Sequence, residues 1–191
     1  GIIQYELHLR YYNQALRLCN FPFAFQTVGS SMAVRSSAYQ KQGGMNKRKA
    51  GEDFYFLQKI IELGNFTELN STTVFPSPRV SDRVPFGTGR AIGEFIKQES
   101  RVFETYNFKS FLDLKEISTW TKDLFDEKKT THNNPVVNEF LLTIDFENKI
   151  KEIKSNTTSF SNFEKRFFTF FNAFIVLKYT HFMRDYCYPN Q

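Results

Sequence analysis

Cysteine is nearly missing from this chain: Cys19 and Cys187 are the only two in 191 residues, far apart and without a metal-ligand neighbour. A zinc site therefore has no support, and both are expected to be reduced thiols of the core. Histidine is as sparse. His8, His132 and His181 stand in no His-x-x-x-His or Glu-x-x-His spacing, so each is read as structural or superficial. Six Pro and nine Gly leave few long flexible stretches, and there is no internal repeat or low-complexity segment. Long hydrophobic runs are also absent. The longest, residues 167–177, is interrupted by Thr169 and Asn172 and falls short of the ~20 residues that span a bilayer. The opening residues Gly1–Glu6 carry neither the basic nor the apolar part of a secretion signal. The Asn-x-Ser/Thr triplets at Asn65, Asn70 and Asn156 are accordingly read as chance matches. Basic clustering is slight, with Lys47-Arg48-Lys49 the densest run, and no aromatic ladder interleaves with Arg, so nucleic acid is not an expected partner.

What is present is aromatic and mildly basic. There are 23 Phe, nine Tyr and one Trp, with a net charge of +5, a balance that allows an anionic partner such as a nucleotide, a phosphorylated lipid or a membrane surface. Ile3, Leu7, Tyr11, Ala15 and Leu18 recur at helical spacing, so the chain is expected to open with a helix that Asn20 and Pro22 stop. Residues 23–34 are rich in aromatic, small and β-branched residues around Gly29 and read as strand, Gly-Ser-Ser turn, strand. Residues 36–39 read as a helical turn, and residues 66–75, with Thr67, Thr72, Thr73 and Val74, as another strand. Beyond about residue 100 the periodicity predicts helices over 111–125, 135–153 and 160–186. The last has a wide aromatic face that either fills a core or docks on a membrane or lipid.

The most informative segment is Gly51-Glu52-Asp53-Phe54-Tyr55-Phe56-Leu57. Phe54, Leu57, Ile60 and Ile61 mark a helix over 52–63 closed by Gly64, so Glu52 and Asp53 fall where a loop enters a helix and backbone N–H groups lack partners. Two readings are open: a carboxylate pair for proton chemistry, or residues that merely suit a helix start. Downstream, the loop 77–89 carries Arg79 and Arg83, suited either to phosphate or to surface ion pairs.

Taken in order, Gly29-Ser30-Ser31-Met32-Ala33-Val34-Arg35, Gly43-Gly44-Met45, Gly51-Glu52-Asp53, a helix ending at Gly64 and a following strand resemble the acceptor-side half of a family 2 inverting glycosyltransferase of the GT-A type. The likeness covers about a third of the chain, from Phe25 to Gly89. It implies an α+β fold, with a partial GT-A-like sheet and helices over residues 1–100 and an all-helical region over 101–191. It also implies that Asp53 is the catalytic base for an acceptor hydroxyl and that Glu52 orients it or binds the acceptor. Gly29, Ser30, Ser31, Gly43 and Gly44 would line the substrate floor, and Arg79 and Arg83 would face the leaving diphosphate. The departure is that no Asp-x-Asp occurs anywhere and no alternation of strands and helices precedes the first helix. The donor half and its manganese or magnesium site are thus expected outside this chain, which would be inactive alone. The partners implied are a nucleotide-sugar donor and a hydroxyl acceptor. The expected location is cytoplasmic, with room for peripheral contact at the inner face of a membrane. The competing reading is a non-catalytic module that binds an anionic polymer or a membrane surface.

Overall fold

The computed structural model describes residues 1–27, 31–46, 51–75, 77–81, 87–97, 103–128 and 130–191, and every regular element among them is a helix. The chain divides into two compact units, Gly1–Tyr11 with Phe25–Phe103, and Tyr12–Ala24 with Glu104–Gln191. The expected α+β architecture is therefore corrected: no strand, and so no partial GT-A-like sheet, occurs among the described residues. A strand needs a neighbour for its backbone N–H and C=O groups, and β-branched residues favour one only on a half-buried pleated surface. Residues 66–75 find neither. No ladder of backbone hydrogen bonds joins them to another described segment, and Leu69, Val74 and Phe75 are exposed, Phe75 by 89%. At the other expected strand, Phe23 and Ala24 instead bury themselves in the second unit, the Phe23 ring 5.2 Å from Phe21.

In the first unit, α1 (Ile2–Leu18) contributes its residues up to Tyr11, followed by α2 (Ser36–Lys41), α3 (Glu52–Ile61) and α4 (Thr88–Lys97). The buried stripe of α1 is rotated from the expected one. Ile3 and Leu7 are 71% and 55% exposed, while Tyr5 and His8 turn inward onto Phe103 at ring distances of 6.1 and 5.5 Å. The register of α4 is fixed by a close approach: a Cβ on Gly89 would lie 2.6 Å from that of Ser81, whose N–H donates to the Gly89 carbonyl.

The second unit takes the end of α1 and then α5 (Phe108–Thr119), α6 (Thr121–Phe125), α7 (Pro135–Thr143), α8 (Phe146–Ser155), α9 (Phe160–Phe170) and α10 (Ala173–Tyr186). These are shorter than the periodicity predicts. The break inside 135–153 falls at Asp145 in the left-handed region (φ 53°). The break inside 160–186 falls at Asn172, whose Oδ1 accepts the N–H groups of Phe174 and Ile175. At Asp145 the backbone itself makes the break, with no side-chain cap, whereas at Asn172 the side chain caps the helix that follows. The expected aromatic face is largely interior: Phe163, Phe167 and Phe171 are completely buried, and the Phe167 and Phe171 rings stack at 5.8 Å and 2°. Burying one such ring stabilises the fold by ~1.5–3 kcal/mol. Two of the polar groups drawn into this core are matched by backbone carbonyls. Tyr179 donates its hydroxyl to the Ser110 carbonyl at 3.1 Å, and Cys19 its thiol to the Phe111 carbonyl at 3.0 Å. Both cysteines are free, and burial pushes the Cys19 thiol up to about 12. Trp120, the sole tryptophan, lies buried at the joint of α5 and α6, its ring 6.1 Å from that of His132. His132 itself is not superficial: 5% exposed, it accepts the Asn134 N–H at Nδ1 and faces Glu116 at 3.2 Å through Nε2.

Candidate functional site

The site begins at the turn after α2. Gly43 donates its N–H to the Gln40 carbonyl at 3.0 Å and Gly44 to the Tyr39 carbonyl at 2.9 Å, the paired bonds of a Schellman helix end. Both glycines take positive φ, 69° and 71°. At Gly44 the requirement is double, because a Cβ there would stand 3.0–3.1 Å from the Tyr39 ring and hydroxyl. The other face of the arrangement is α3. Tyr39 rests its ring 5.3 Å from that of Phe56, which is buried with Leu57 on the inner side of α3. The glycine turn and the carboxylate helix are thus joined through two aromatic rings, Tyr39 beside Gly44 and Phe56 one turn along α3 from Glu52 and Asp53.

Gly51, in the left-handed conformation (φ 72°, ψ 13°), turns the chain into α3 and caps it without a side chain. Glu52 and Asp53 fill the first turn, where the helix dipole favours negative charge. Asp53 accepts the Phe54 N–H at Oδ1, 2.8 Å, and is partly open to solvent. Its charge is felt at Tyr5 on α1: burial, and then the Asp53 carboxylate, hold the Tyr5 phenol above its usual range. Tyr5 was not legible as a site residue, since nothing in the sequence couples positions 5 and 53. A carboxylate so placed, partly open to solvent, can accept a proton from a hydroxyl set against it.

Other expected residues do not join this locality or lie beyond description. Ser31 is exposed, with no described contact to α3. Arg79 is exposed on the segment that leads to Ser81, and no ion pair or hydrogen bond ties it to Glu52 or Asp53. Gly29, Ser30 and Arg83 lie outside the described residues, as does the basic run Lys47-Arg48-Lys49. An apolar hollow of about 330 Å³ in the same unit is lined by Ile2, Pro78, Ile92, Phe95 and Ile96, with no carboxylate in it. Among the described residues no group of three His, Cys, Asp or Glu side chains converges to hold a metal ion. No described helix is long and apolar enough to cross a membrane. Comparison of the chain with protein families, with curated proteins and with solved structures finds no match.

Proposed function

We propose that this chain is the acceptor-binding and catalytic-base portion of an inverting glycosyltransferase. The observation that carries the reading is the setting of Asp53, in the first turn of α3 behind left-handed Gly51, with the Gly43-Gly44 turn braced to the same helix through Tyr39 and Phe56. The order of Ser31, Gly43-Gly44-Met45 and Gly51-Glu52-Asp53 along the chain supports it further.

In this reading the Asp53 carboxylate takes the proton of an acceptor hydroxyl as that oxygen forms a bond to the anomeric carbon. The bond from that carbon to the nucleoside diphosphate breaks, its electron pair leaving with the diphosphate on the opposite face of the sugar. Glu52 orients the acceptor or the base, and the side-chain-free backbone at Gly43 and Gly44 lets the substrate approach closely. The likeness in sequence would give the departing diphosphate to Arg79, which is exposed, and to Arg83, which lies outside the described residues. The donor and any manganese or magnesium are held by residues outside this sequence, because no Asp-x-Asp occurs in it.

The test is sugar transfer from a panel of nucleotide sugars, with manganese or magnesium, by a protein that includes an upstream donor-binding region, compared with its Asp53→Asn variant. Loss of the base is expected to slow transfer by about 10²–10⁴-fold with folding retained. Transfer near the parent rate would remove Asp53 from the chemistry. No transfer from any donor would favour the non-catalytic module binding an anionic polymer or membrane surface.

A further inference from the structure

The surface of α9 opposite its phenylalanines carries an unusual polar set. Asn162, Lys165, Arg166 and Thr169 recur at offsets of three, four and seven and so share one face of the helix. Phe163 and Phe167, completely buried on the inner side, fix the rotation of α9 and hold that face outward. Together with Asn156 and its two following threonines, the stripe borders an open surface cleft of about 380 Å³, lined by polar side chains rather than the apolar ones usual at small-ligand sites.

The chemistry of the walls is one-sided. Lys165 and Arg166 supply two cations, and no carboxylate lines the cleft. In the same unit Lys122, Lys128, Lys149 and Arg184 each sit against an acidic side chain, at 2.7–3.0 Å, whereas Lys165 and Arg166, like Lys109, Lys115, Lys151 and Lys178, have no ion pair among the described residues; what sets these two apart is that both line the cleft. Glu152 is engaged by Lys149 at 2.7 Å, and no ion pair joins Glu164 to Lys165 or Arg166 among the described residues. Around the cations stand neutral hydrogen-bonding groups. The amide of Asn162 and the hydroxyl of Thr158 make no side-chain hydrogen bond to the described protein. Thr169 spends its hydroxyl proton on the Lys165 carbonyl at 2.9 Å and keeps its oxygen as an acceptor. Two adjacent cations call for an anionic group. Asn156 and Thr157 donate to the carbonyls of Glu152 and Ile153, so Asn162 and Thr158 are the groups left to meet a ligand's hydroxyls, and the lack of an apolar wall disfavours a lipid tail or an aromatic base.

We propose that this cleft, between residues 156–158 and the Asn162–Thr169 face of α9, is a binding site for an anionic saccharide, a sugar carrying a phosphate or carboxylate group. Lys165 and Arg166 meet the charge, and Asn162 and Thr158 meet the hydroxyls. The site is independent of the role given to Asp53, whose unit contributes no residue to it.

The experiment is an amide NMR titration of the isotopically labelled 191-residue chain with glucose 6-phosphate, glucuronate, glucose and inorganic phosphate in parallel. Saturable shifts confined to residues 156–169 are expected with one or both anionic sugars, and which of them binds more tightly identifies the charged group. Glucose and phosphate alone should bind more weakly. The exposed double substitution Lys165→Gln, Arg166→Gln is expected to weaken binding at least about tenfold, the loss typical of a charge-assisted hydrogen bond. Asn162→Ala should weaken the anionic sugar while leaving inorganic phosphate unaffected, and it provides a second test if the double variant does not fold. Four outcomes would overturn the proposal: no saturable shifts in this segment, shifts spread over lysines throughout the chain, equal response to inorganic phosphate and to the sugars, or binding indifferent to both variants.

Discussion

Tyr39 is the residue on which the candidate site turns. One side of its ring is packed against the space a Gly44 side chain would occupy, and the other approaches Phe56 on the buried side of α3. Gly44→Ala therefore meets two penalties at once, a left-handed backbone and a Cβ pressed on the ring. The expected loss is about 1–3 kcal/mol of stability, measured by urea unfolding, and any transferase activity of an extended protein should fall with it. An unchanged midpoint would mean that the glycine turn is not braced by Tyr39. The residue scale also shows what the sequence could convey. Gly43-Gly44 and Gly51-Glu52 were readable because left-handed turns and helix starts leave a local signature. The Tyr39–Phe56 contact and the presence of Tyr5 near Asp53 were not, because ring contacts between elements have no local mark.

At the scale of the element, the helices owe their ends to particular side chains. Asn107, Asn134 and Asn172 each accept a backbone N–H in the first turn of the helix they precede. Asn134 also donates to Asp113 Oδ2 at 2.8 Å. Asn20 and Glu127 end α1 and α6 in the left-handed region, at φ 59° in both cases. Asn172→Ala is expected to cost about 1 kcal/mol and to raise hydrogen exchange at the Phe174 and Ile175 amides, which donate to its Oδ1. Exchange rates that stay at the parent value would show that the cap contributes nothing. These same interruptions explain why long helices were expected where pairs of short ones occur. Apolar residues are dense on both sides of Asp145 and Asn172, so composition joins what a single residue's backbone or cap separates. The missing strands have the opposite cause. Residues 66–75 have the composition of a strand, but composition cannot supply the neighbouring strand that a sheet requires.

For the molecule as a whole, two imidazoles, one in each unit, make stability depend on pH. Burial lowers the affinity of His8 for its proton. His181 is lowered by burial and then by Arg184, against the opposing Asp185, with its Nε2 2.9 Å from the Tyr106 hydroxyl. Below the unfolded value of about 6.5 the unfolded chain holds protons that the folded chain does not, so unfolding takes up protons and acid favours it. Stability from these groups is full above that value and is lost as the pH falls toward the lower folded values. Urea midpoints at about pH 7.5 and about pH 5.5 should therefore decline, and His181→Gln should reduce the decline. A decline identical in the variant would exclude His181 as a source. Trp120 gives such experiments an unequal view of the molecule. As the only indole of the chain, enclosed in the second unit, it makes emission excited at the red edge of the aromatic band a private signal of that unit. The unit that carries Asp53 is dark at that wavelength, so a fluorescence melt records the fate of the helices around α5 and α6 and is blind to the carboxylate helix.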